Sequence, residues 1–69
     1  ADRCRRMLEQ AALREQFQTL LAREQYAAEI YGELAGKLKD PALREQVEQL
    51  YREKMRHVRL TERLLEILE

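Results

Sequence analysis

The 69 residues predict an all-α protein: an antiparallel helical hairpin, two copies of which pair into a four-helix bundle. Three observations carry this. Ala, Leu, Glu, Gln, Lys and Arg dominate, with only two glycines and one proline, and these are the strong helix formers. A single stop-and-start signal, Lys39-Asp40-Pro41, divides the chain. On both sides of it, apolar residues recur at alternating steps of three and four, the period of a coiled-coil seam.

The first helix spans about residues 2–38. Its seam reads Leu13, Phe17, Leu20, Glu24, Ala27, Tyr31, Leu34, Leu38. Before Leu13 the phase changes, because Cys4, Leu8 and Ala11 have helical spacing but fall off that line. The helix is therefore either continuous from Asp2, about 55 Å long, or broken near residues 11–13. No Gly or Pro decides between the two. Arg3, Arg5 and Arg6 at its start oppose the helix dipole.

The turn and second helix follow from local chemistry. Asp40 is a good N-cap, and Pro41 suits the first helical position, where a missing N–H costs nothing. Helix two then covers 41–68, with a seam of Leu43, Val47, Leu50, Lys54, His57, Thr61, Leu64 and Leu68. Leu21, Ala28 and Ala35 on one helix, and Tyr51, Val58 and Leu65 on the other, widen each stripe. One partner helix cannot cover stripes this wide, so a homodimer of hairpins, or a higher homo-oligomer, is expected. The whole chain, 1–69, is one such domain.

Composition excludes several classes. Thirteen basic and thirteen acidic residues cancel, so no net field favours nucleic acid or an anionic membrane. No apolar run approaches the roughly 20 residues a membrane span needs, and no signal-peptide core is present. Cys4 is alone, which rules out an internal disulfide framework and points to the reducing cytoplasm. There is no glycine-rich phosphate loop, C-x-x-C or nucleophile–base pair, so hydrolase and kinase chemistry lack support. The balance leans away from an enzyme.

One feature hints at chemistry. Glu24, Lys54 and His57 occupy seam positions otherwise reserved for apolar residues, and a tight hairpin brings them to one height. Glu53 lies four residues before His57, and Tyr31 two turns from Glu24 towards the loop. The stretch Ala22-Arg-Glu-Gln-Tyr-Ala-Ala-Glu-Ile-Tyr-Gly-Glu-Leu-Ala35, then Asp40-Pro-Ala-Leu-Arg44, then Arg52-Glu-Lys-Met-Arg-His57 resembles rubrerythrin-type ferritin-like proteins. The likeness covers about residues 20–65 and consists of many weak positions. It implies a ferritin-like bundle whose helix pairs each give a Glu, a Tyr seven residues on, and an E-x-x-H, together holding a di-iron centre. Glu24, Tyr31 and His57 match that pattern. Lys54 stands where the E-x-x-H glutamate should be.

That departure bears directly on metal. An ammonium about 5 Å from a divalent ion opposes binding by roughly 6–7 kcal/mol at an effective dielectric near 20. It also has no lone pair to offer while protonated. Three expectations follow. The layer is structural, with Glu24 paired to Lys54; or Glu24 and His57 from two chains bind iron or zinc, with the di-iron oxidative activity lost or altered; or Glu53 takes the missing carboxylate's role in a true di-iron centre. With metal, Tyr31 would donate a hydrogen bond to Glu24; without it, Lys54 takes the cation's place and the chain is a metal-free dimerisation module.

Overall fold

In a computed structural model of the chain, which describes all 69 residues, two helices pack as an antiparallel hairpin: α1 (Asp2–Lys37) and α2 (Pro41–Leu68). α1 runs through residues 11–13 without a break, which decides between the two sequence-based alternatives for that segment. With Ala11 and Ala12 there, the best helix former occupies the doubtful region.

The reversal is tight because both helix ends are prepared for it. Leu38 leaves the helix in extended conformation, its N–H still donating to the Leu34 carbonyl. Asp40 accepts from the Ala42 N–H at 3.2 Å, and Pro41 follows in the first turn. At the far end Arg14 Nη2 donates to the Leu68 carbonyl at 3.4 Å, a long bond that ties the last turn of α2 to α1. That contact marks where α2 stops. About the first twelve residues of α1 continue past it as a single, unaccompanied helix.

Contact within the hairpin is displaced to one side of the predicted seam. The only buried residues are Ala28, Ala35 and Val58, at 3%, 8% and 5% exposure. All three come from the flanking rows. Small residues explain the displacement: at Ala28, Gly32 and Ala35 the α1 backbone lacks bulk, so α2 closes on that side. A Cβ added at Gly32 would sit 3.3 Å from the Tyr51 ring, so the absence of a side chain there lets Tyr51 lie across α1.

The other half of the seam is left open. Leu13, Leu20 and Leu34 on α1 and Leu43, Leu50 and Leu64 on α2 are between 39% and 50% exposed. These six recur at seven-residue multiples and share one side of the hairpin with Ala27 and His57. The molecule is accordingly a rod, 59 × 14 × 12 Å, with a radius of gyration of 16.7 Å. A compact domain of 69 residues would have about 11 Å. No helix is long and apolar enough to cross a membrane.

Candidate functional site

The polar layer sits at the middle of this rod. Heptad spacing puts Glu24 in line with Phe17 and Tyr31 on α1, and Lys54 in line with Val47 and Thr61 on α2. Both side chains thus point into the hairpin groove and are about three-quarters covered. Lys54 Nζ lies 3.1 Å from Glu24 Oε2 and 3.5 Å from Oε1. Only the longer contact is aligned as a hydrogen bond. Oε2, itself shielded from solvent, has ionic contact but no directed donor.

His57 approaches the same oxygen from the open side. Its Nδ1 is 3.6 Å from Glu24 Oε2, and its side chain remains 45% exposed. That separation exceeds a hydrogen bond. Thr61 donates its hydroxyl to the His57 backbone carbonyl at 2.8 Å, a back-bond one turn along α2. The imidazole therefore stands in the open leucine row, seven residues from both Leu50 and Leu64, with its rim to solvent.

The remaining expected participants stand apart. Glu53 is exposed on α2 and enters no ion pair; the pairs of the hairpin are Arg44–Glu48, Lys54–Glu24 and His57–Glu24. Tyr31 is half-buried and makes no hydrogen bond to Glu24. Two tertiary contacts are absent from the sequence reading, Arg14 with Leu68 and Gly32 with Tyr51. The first had no signal, since an arginine on a charged helix reads as solvated; the second was detectable as a glycine within the small-residue row Ala28, Gly32, Ala35.

Tested against a di-iron centre, these residues do not fit. The position that would supply the bridging carboxylate carries an ammonium already in contact with Glu24. No group of three or more His, Cys, Asp or Glu within the hairpin could hold a metal ion. What the arrangement can do is neutralise one carboxylate in a half-dry groove and present an imidazole above it.

No protein-family model matches this chain, and no curated protein or solved structure matches it either.

Proposed function

We propose that this chain is a self-association module: a helical hairpin that pairs with a second copy through its open leucine face, with Glu24–Lys54 as a structural polar layer. The single observation that carries the reading is the row of six half-exposed leucines on one side of a rod with three buried residues. Area supports it quantitatively. A compact monomer of 8.3 kDa exposes about 4,600 Å², whereas this hairpin exposes 5830 Å². The excess, about 1,200 Å² per chain, falls within the roughly 1,000–2,500 Å² that obligate homodimer interfaces remove from each partner. So small a core also stabilises little by itself.

The polar layer fits that role. Glu24 and Lys54 already neutralise each other, so burial under a second hairpin covers a pair rather than a lone charge. A buried polar layer in an otherwise leucine seam disfavours slipped registers, in which the pair would face apolar side chains. Sedimentation equilibrium tests the reading with a charge on the face (Leu50→Glu) and one off it (Leu8→Glu). The unaltered chain and the Leu8 variant should be dimeric at micromolar concentration and the Leu50 variant monomeric. Monomers throughout would overturn the reading.

A second reading is favoured by the approach of His57 Nδ1 to Glu24 Oε2. Two hairpins face to face would gather two imidazoles and two carboxylates, a donor set suited to one zinc or iron ion once Lys54 withdraws. That is the form in which a ferritin-like ancestry with altered chemistry would persist. Metal content after purification without chelator tests it. Stoichiometric metal lost in His57→Ala supports the ion; equal, near-zero iron and zinc in both leaves the polar layer alone.

A further inference from the structure

We infer that the outer faces of α1 and α2 dock onto one another in successive copies of the chain, so that hairpins associate side by side at low ionic strength. On α2, Arg52, Arg56, Arg59 and Arg63 recur at steps of four, three and four, which sets them along one stripe. All four are exposed, and none has an acidic partner within ion-pair distance. The stripe is turned about 180° from Lys54 and Thr61, hence away from the hairpin groove. Glu53 and Glu62, the acids within its span, project to either side at about 90°. A chain of no net charge thus carries a local cationic line.

The acidic counterpart is on α1. Glu29 and Glu33 are exposed on the side of α1 opposite Glu24, and neither enters an ion pair. Lys37 follows one turn on, and Tyr26, 67% exposed, lies one turn before Glu29. A neighbouring copy that lies parallel and is displaced about 6 Å along the rod brings its α1 antiparallel to this α2. Arg52 then meets Glu33, Arg56 meets Glu29, and Arg59 meets the Tyr26 ring, a cation on an aromatic face. At the next rung Glu48, which also holds Arg44, meets Lys37. One like-charged pair, Glu45 with Asp40, falls at the turn. Without the displacement Glu48 would face Glu33, so charge selects the register. The contact uses a different surface on each copy, so it does not close and repeats laterally. It leaves the leucine face untouched and is independent of the self-association reading.

Exposed ion pairs are individually weak and screened by salt, so the contact belongs to high concentration and low salt. Weight-average mass is measured by sedimentation equilibrium at about 1 mM protein, in about 10 mM and about 300 mM salt, between which the screening length falls from about 30 Å to about 6 Å. Two charge reversals are compared, Arg52→Glu with Arg56→Glu, and Glu29→Arg with Glu33→Arg. Both keep good helix formers at exposed positions, and circular dichroism checks their helix content. A control that matches the first in net charge, Arg3→Glu with Arg5→Glu, changes the chain off the stripe. We expect the mass of the unaltered chain and of the control to rise at least about twofold from high to low salt. Each reversal alone should keep its high-salt mass. An equimolar mixture of the two reversals should rise as the unaltered chain does, because each presents the face the other lacks, and two misfolded proteins could not give that rescue. No rise in the unaltered chain would overturn the inference, as would a rise in either reversal alone, or a control or mixture that stays at its high-salt mass. The high-salt mass reports the leucine-face pairing separately, so the failure of one reading is told from the failure of the other.

Discussion

Lys54 sets the character of the polar layer. Its ammonium, 3.1 Å from Glu24, neutralises the carboxylate it faces. Because the pair is about a quarter exposed, breaking it should cost far less than breaking a fully buried pair. Glu24→Ala lets Lys54 extend to water, and we expect a loss of about 1 kcal/mol in urea unfolding at fixed protein concentration. Lys54→Met, which also fills the groove, should leave Glu24 stranded and cost more, about 1–3 kcal/mol. The glycines make a contrasting pair. A Cβ at Gly36 meets nothing within 4 Å, whereas one at Gly32 meets the Tyr51 ring. Gly36→Ala should raise stability by about 1 kcal/mol from helix propensity, and Gly32→Ala by clearly less. The identities of Glu24, Lys54 and His57 as odd residues in a leucine seam were legible from spacing alone. Their mutual distances were not, since seam position fixes height and side but not rotamer.

Helix ends were the most legible elements of the chain. Asp40 and Pro41 name the start of α2 because capping and a fixed proline φ are local effects that tertiary contacts rarely override. Asp40→Ala should destabilise the hairpin by about 1 kcal/mol, read as a lower urea midpoint with unchanged slope. The first turns of α1 were ambiguous because Cys4, Leu8 and Ala11 share a period with the rest but not its phase. The helix continues through them, yet nothing packs there, and Met7 and Leu8 are 63% and 72% exposed. An unaccompanied end of a helix has little beyond propensity to hold it. Amide hydrogen exchange should accordingly be fastest over residues 2–10 and slowest around Ala28 and Val58.

At the scale of the whole molecule the spacing implied more packing than one chain provides. Eight seam positions per helix with three flanking positions each would fill a bundle, and a hairpin contains only half of one. Which half α2 takes depends on Ala28, Gly32 and Ala35, whose small size draws α2 towards that side; period analysis weighs apolar character, not bulk. The leucines left over, and the half-covered polar layer among them, are what the account asks a second copy to cover. An isotope-filtered NMR experiment on a one-to-one mixture of labelled and unlabelled chains tests this most directly. The account predicts intermolecular contacts from the methyls of Leu20, Leu50 and Leu64, and none from Leu8. Methyl contacts confined to single chains, in a sample shown by its tumbling time to be a folded 8.3 kDa monomer, would contradict it.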